Sequence, residues 1–320
     1  MDSVERVPIP TPFGIGRVNC YVFTGDGLAL LDPGPKTDEA YAALASGLDD
    51  LGHAVADIDR ILISHAHLDH YGLASRVAAE SGAAVLAHEH AVDPLADPDA
   101  HFAREQAFFR PFLASMGVPE ELVDTVVELP EPYTDFWEAV EVDRALGEGD
   151  TVDVGTALEV VHTPGHTPDS ITLVAAAEST AFTGDHVMLE VSPNPLLTVR
   201  PEQAEERTRS LPDYLDSLAT VQSLGPMVGH AGHRDPIADV GERAAAIIDH
   251  HHERKEAITE MIDDAGEATA YSLTKRLFPD LPVTEMFPGM SEIVGHLDLL
   301  EDEGRATTTT RDGVRLYRPD

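Results

Sequence analysis

The stretch Ser64-His65-Ala66-His67-Leu68-Asp69-His70 sets four side chains of metal-ligand type within six positions. Residues two apart on an extended chain point the same way, so His65 and His67 can grip one cation together. The run follows a short apolar stretch, Ile61–Ile63, that reads as a buried strand. Asp69 and His70 fall where a helix begins, and the turn can swing them toward a second cation. Four such groups beside a buried strand would be costly unless an ion satisfied them. Three more candidates share this placement after a strand signal: His166 in Thr163-Pro164-Gly165-His166, Asp185 in Thr183-Gly184-Asp185, and His230 in Val228-Gly229-His230. One carboxylate at Asp185 could bridge two cations. His233, also preceded by a glycine, is the rival to His230. The single cysteine, Cys20, excludes an internal disulfide and a thiolate cluster, so any metal must be held by histidine and carboxylate.

The elements that must position these groups are legible from apolar patterning. Val18–Thr24 and Leu28–Asp32 read as a hairpin around Gly25-Asp26-Gly27. Thr37–Leu51 has helical spacing and stops before Gly52. Leu73–Ala79 reads as a helix and Ala84–Ala87 as a strand. From about 91 to 145 the pattern changes to a helical insertion, Phe102–Met116 and Glu120–Val127, interrupted by prolines. Phe108, Phe109, Tyr133, Phe136 and Trp137 are its candidate pocket walls, although most such aromatics simply form their own core. Strand signals resume at Thr151–Val154, Leu158–His162, Ile171–Ala175 and Ala181–Thr183. A helix is expected over Pro201–Leu224 and a strand over Met227–Gly229. Interleaved strands and helices in two similar groups predict two face-to-face sheets with helices outside. His250–Asp264 reads as a connector. Beyond it come helices at Ala268–Phe278 and Ser291–Glu303 and a hairpin of Arg305–Thr310 with Val314–Arg318, the order of a winged helix. The expected division is a catalytic domain over 1–250, with the insertion, and a small domain over 251–320.

His65-Ala66-His67-Leu68-Asp69-His70 resembles the His-x-His-x-Asp-His signature of the metallo-β-lactamase superfamily. Leu31-Asp32-Pro33-Gly34, the Gly165-His166 loop, Gly184-Asp185 and Gly229-His230 are similar to its other motifs, in the same order, over roughly residues 7–245. The resemblance implies an α/β (α+β) fold, a four-layer αββα sandwich. It implies that His65, His67 and His166 hold one metal, that Asp69, His70 and His230 hold the other, and that Asp185 bridges. Asp32 would order the ligand loop without being a ligand. The tail, from Thr269-Ala270-Tyr271-Ser272-Leu273 to His296–Arg305, resembles the C-terminal winged helix of hydroxyacylglutathione-hydrolase-like and β-lactamase-like-protein-2 members. His162 and His186, which flank ligands, read as packing or supporting residues. His250-His251-His252 reads as a solvated run on an exposed helix.

Two divalent ions about 3.5–4 Å apart can share a water and lower its pKa toward neutrality. The expected chemistry is attack of that bridging hydroxide on an ester-like bond, with Asp69 and Asp185 as its catalytic carboxylates. Zinc suits the donor set first, with iron and manganese open. Family members that hydrolyse β-lactams carry a cysteine ligand where this chain has Asp185, which argues against antibiotic hydrolysis. A thioester or related small-molecule ester is the leading substrate. Glutathione recognition uses basic residues, and only Arg234 stands near the last ligand motif. Lactone hydrolysis and RNA cleavage are the enzymatic alternatives.

The chain has 320 residues and 42% hydrophobic content, enough for a buried core, and a net charge of −37. Its acidic residues are spread throughout, which fits an acidic, salt-adapted surface better than a cationic partner. Nucleic acid is disfavoured: from Lys255 onward there are 7 basic and 14 acidic residues. Arg305, Arg311, Arg315 and Arg318 nevertheless gather on the predicted hairpin. The alternative role for that unit is to pack on the catalytic domain or form a homodimer contact. No segment has the roughly 20 apolar residues of a membrane span, and Met1–Pro10 lacks a signal-peptide core, so a cytoplasmic location is the default expectation.

Overall fold

Strand β2, Val18–Phe23, shows how the layers arise. Val18, Cys20 and Val22 enter one apolar cluster, whereas Tyr21 and Phe23 enter another. A strand apolar on both faces must be covered on both, by a helix on one side and a second sheet on the other. The computed structural model describes residues 4–128, 135–201 and 203–320. Its first sheet has the order β1-β2-β3-β4-β5-β6. β1 is Val4–Ile9, β3 Ala29–Leu31, β4 Arg60–Leu62, β5 Ala84–His88 and β6 Arg144–Leu146. The first three strands pair antiparallel and the last four parallel.

The second sheet contains β7 (Thr151–Asp153), β8 (Ala157–His162), β9 (Ile171–Ala175) and β10 (Thr180–Gly184). Its far edge is β13 (Val228–Ala231), parallel to β10, giving the order β13-β10-β9-β8-β7. Leu62 and Leu86 from the first sheet meet Leu158, Val160, Leu173 and Phe182 from the second in the inner layer. Helices α1 (Asp38–Asp50), α2 (Leu68–Tyr71) and α3 (Ala74–Ser81) follow early strands, and α1 and α3 cover the first sheet through Leu44, Leu48 and Val77. Leu211, Tyr214, Leu218, Ala244 and Ile247 cover the second sheet from the other side. The result is the four-layer αββα arrangement.

The insertion forms α4 (Val92–Ala96), α5 (Pro98–Ser115) and α6 (Glu120–Glu128). Phe109, Leu113, Val123 and Val126 share one apolar cluster with Ile258, Leu273, Met290, Ile293 and Tyr317 of the C-terminal region. That region comprises α8 (Val240–Ala265), α9 (Ala270–Leu277), α10 (Met286–Asp302) and the hairpin of β14 (Ala306–Arg311) with β15 (Val314–Pro319). α8 is one unbroken helix through the division expected at 250/251.

Two expectations change. The helix expected over Pro201–Leu224 is α7, Ser210–Ser223 only. Before it, β11 (Val199–Arg200) and β12 (Gln203–Arg207) form a small ribbon. The exposed Gln203–Glu206 offer no apolar stripe for a helix to bury, so the segment before Ser210 has nothing to hold it in that form. Strand β1, unmarked in the sequence, is held by its full register on β2. Among the described residues no helix is long and apolar enough to cross a membrane.

Candidate metal centre

The ligand-type groups gather where the strands of both sheets end on one rim. Leu62 closes β4, and Ser64 begins the loop that carries His65 and His67. Ser64 donates from its backbone N–H to Asp32 Oδ1 at 2.8 Å and from its hydroxyl to Asp32 Oδ2 at 2.7 Å. Because that hydroxyl hydrogen is committed, Ser64 Oγ can only accept from His65 Nδ1, 3.0 Å away. Asp32 Oδ2 also takes His70 Nδ1–H at 2.9 Å. Asp32 sits at φ 57°, a left-handed conformation that a short polar side chain tolerates. It is buried and is not among the groups whose atoms lie close enough to share a cation.

His166 Nδ1 donates to the carbonyl of Asn194 at 2.9 Å, and His233 Nδ1 to the carbonyl of Arg17 at 2.8 Å. Four rings thus spend their Nδ1–H on fixed acceptors, leaving the Nε2 lone pair to face inward. This is the usual way a protein fixes the tautomer of a metal-binding histidine. His65 Nε2, His70 Nε2, His233 Nε2 and Asp185 Oδ1 are all buried without a hydrogen-bond partner. Asp185 lies among them: Oδ1 is 3.5 Å from His70 Nε2, and Oδ2 is 3.5 Å from His233 Nε2 and 3.9 Å from His166 Nε2. His67 Nδ1 stands 3.1 Å from His166 Nε2, whose lone pair it meets either as an N–H donor or with a cation held between the two rings. Two zinc–nitrogen bonds of about 2.0–2.1 Å at a near-tetrahedral angle separate their nitrogens by about 3.3 Å. The donor set therefore fits divalent cations in two groups: His65, His67 and His166, and Asp69, His70 and His233, with Asp185 reaching both.

The electrostatics divide the rings: His70 and His233, beside the carboxylates, favour positive charge, whereas His65 and His67 do not. Burial is the largest influence holding the His65 ring below its ordinary value, and it pushes His67 down to about 3. Both rings stay neutral, as ligands must be. Burial works against charge on Asp185, but His233, His70 and His65 outweigh it and hold the carboxyl well below its usual range. Burial would likewise lower His70, and the carboxylates of Asp185, Asp69 and Asp32 reverse that. Removing one buried partner here would strand the others.

Of the residues singled out in the sequence, His65, His67, Asp69, His70, His166 and Asp185 meet at this rim. His230 does not. β13 continues to Ala231, so His230 is still within the strand and its ring stacks on its register partner Phe182 (centroids 5.1 Å) and against Tyr21 (5.4 Å). Gly232 then turns the chain and brings His233 Nε2 to 3.3 Å from Asp69 Oδ2. A Cβ at Gly232 would lie 2.4 Å from Asp185 Oδ1 and 2.7 Å from His70 Cε1, so only glycine allows this approach. Asp169, absent from the sequence reading, accepts the Ala66 N–H at 2.6 Å and braces the His65–His67 loop. His251 is also corrected: it is buried, its ring set against Tyr214 and beside Glu292 and His296, while His250 and His252 are exposed.

A cleft of about 210 Å³ opens at His67 and is walled by Glu89, His90, Asp93, His101, Arg104 and Pro168 among others. None of the described aromatics proposed as pocket walls lines it. Phe109 belongs to the insertion core and Phe108 packs on that core, Phe136 meets Phe13, and Trp137 contacts Phe102. Tyr133 lies outside the described residues.

The model of a family described as the metallo-beta-lactamase superfamily matches residues 13–233. A "Probable metallo-hydrolase YqjP" of Bacillus subtilis is 30% identical over 99% of this chain and 97% of its own length. A "Beta-lactamase-like protein 2 homolog" of Caenorhabditis elegans is 26% identical over 88% and 78%. An "Atrochrysone carboxyl ACP thioesterase" of Aspergillus fumigatus is 27% identical over 47% and 49%. Among solved structures, a metallo-beta-lactamase family protein of Thermus thermophilus superposes with a TM-score of 0.81 at 32% identity, covering 99% of each chain.

Proposed function

The chain belongs to the metallo-beta-lactamase superfamily and is a metallo-hydrolase of it, and from that premise we propose that it hydrolyses a thioester or related small-molecule ester. The observation that carries the reading is the convergence of buried, unpartnered Nε2 atoms on the Asp185 carboxylate. When bound, two divalent cations supply Lewis acidity, lowering the pKa of water and offsetting charge on a substrate carbonyl oxygen. Zinc is the first choice for this donor set.

The rest is work for the chain itself. Asp32 and Ser64 hold His65 and His70 in one tautomer, and Asn194 and Arg17 do the same for His166 and His233. Burial opposes charge on Asp69, yet His70 and His233 keep it ionised, and it is the more exposed carboxylate of the pair. Asp69 is therefore the group placed to take a proton from the attacking water and pass it to the departing thiol or alcohol. The cleft beyond His67 presents Arg104 as its fixed cation, able to face a carbonyl or an anionic substituent.

Thioester chemistry is favoured over lactam chemistry because carboxylate and imidazole, with no thiolate, make up the centre; the one cysteine, Cys20, is buried in the core. The half-length likeness to a carrier-protein thioesterase supports the same substrate class. A nucleic-acid role draws no support from the C-terminal hairpin. Arg305 pairs with Glu256, Arg311 and Arg318 pair with Glu267, and Arg315 pairs with Glu301. The test is a panel of one acyl thioester, one lactone, one phosphodiester and one β-lactam, run on metal-loaded protein. The highest kcat/KM is expected on the thioester. Preference for the phosphodiester or β-lactam would overturn the substrate reading.

A further inference from the structure

Three histidines outside the centre meet at the neighbouring strand ends. His88 ends β5 of the first sheet, His90 sits in the 3-10 turn Glu89–Ala91 directly after it, and His162 ends β8 of the second. One nitrogen of each lies within 4.8 Å of the others. The His88 and His162 rings stack with centroids 4.0 Å apart and planes 16° from parallel. Two cationic rings would not stay face to face at that distance, so the stack disfavours a doubly charged pair, and one ring must turn out of it for both lone pairs to reach a single ion. Burial, then His162 and His90, push His88 down to about 3, in keeping with this.

The surroundings repeat the device used at the binuclear centre. The carbonyl of Pro168 accepts from His162 Nε2 at 2.9 Å and faces His90 Nδ1 at 3.3 Å. On both rings this assigns the lone pair to the opposite nitrogen. His88 Nδ1 accepts a long 3.2 Å bond from the His90 N–H, the contact a cation would replace. Glu148, which accepts the His162 N–H at 2.5 Å, supplies a carboxylate at the same strand end. An ion has a way in, because His90 and Pro168 line the cleft that opens at His67.

We propose that His88, His90 and His162 form a further transition-metal site of the zinc class, separate from the binuclear centre and set in the wall of the same cleft. Bound there, an ion adds positive charge beside Glu89 and Asp93. The inference does not depend on the substrate reading.

The test is metal stoichiometry. Chelated full-length protein is titrated with Zn²⁺ and the retained ion counted by elemental analysis after gel filtration, for wild type, His90→Gln and His162→Gln. Circular-dichroism melts confirm that each variant is folded. His90, on a turn, gives the reading should His162→Gln fail to fold. Each folded variant is expected to retain one equivalent fewer than wild type. Equal retention in wild type and His90→Gln would overturn the proposal, including the case in which an extra ion sits elsewhere, such as at the exposed His250 and His252.

Discussion

Asp185 is held by opposing demands: burial disfavours its charge, while three histidines around it require that charge. A carboxylate so placed is stable only as part of a complete set, and His233 completes it. The His233→Ala variant should lose one tightly held ion per chain and at least about 100-fold in kcat/KM, beyond the 10–100-fold typical of losing a residue that merely orients a ligand. His230→Ala, which empties a stacking position on Phe182, should keep its metal and most of its activity. Metal analysis with parallel kinetics checks both. Six of the seven candidate ligands that meet at the rim were legible in the sequence, because each lies on the loop or first helical turn after an apolar strand. The seventh turned on where β13 ends. Val228-Gly229-His230 and Gly232-His233 look alike as strings, and only the pairing of Ala231 with Gly184 decides that the strand runs past His230. Asp169 had no local signal, since its partner Ala66 is 103 positions away.

At the scale of elements, the loops that carry ligands are fixed by buried polar bonds more than by propensity. Ser64 links Asp32 at the end of β3 to the His65 ring. The Ser64→Ala variant should weaken metal affinity by roughly 10–100-fold while the fold persists, measured by competition with a chromogenic chelator. A second device joins the insertion to the small ribbon. Glu105 of α5 accepts the Val199 N–H at 2.9 Å, and burial pushes its carboxyl up from 4.5 to about 7. The folded protein therefore holds this proton more tightly than the unfolded chain. Stability from it is complete below about 4.5 and is lost as pH rises through about 7. Denaturant melts should show Glu105→Gln, which can still accept the bond, gaining about 1–3 kcal/mol on wild type at pH 8 and little at pH 4.5. Equal offsets at both values would contradict this. The ribbon escaped the sequence reading for a physical reason: β11 and β12 are short and largely exposed, and are ordered by contact with α5 and α10, including Arg207 on Asp298 at 2.5 Å, not by patterning of their own.

Across the whole molecule, the inner-sheet core and the helix-covered faces follow from the nearly continuous apolar runs of β2 and β9, which need cover on both faces. The joint core of the insertion and the C-terminal helices does not, because neither segment marks its partner. That shared core reaches the centre: Asn194, whose carbonyl orients His166, donates its amide to Pro288 of α10 at 3.0 Å. The C-terminal unit therefore helps hold a ligand loop as well as covering the surface. A net charge of −37 sets the other global property. Self-repulsion of that size is screened as the Debye length shortens from about 10 Å at 0.1 M salt to about 3 Å at 1 M. We expect Tm to rise by at least about 3 °C over that range, roughly 2 kcal/mol for a chain of this size. A flat or falling Tm would contradict the salt-adapted reading.

The central claim is that these seven side chains make a hydrolytic centre only when they hold cations. Its most direct test follows acyl-thioester cleavage by chelated wild-type protein as zinc is returned, with His233→Ala beside it. The account predicts negligible cleavage before zinc, recovery in wild type, and little recovery in the variant. Full cleavage by the chelated protein, or equal recovery in both, would contradict it.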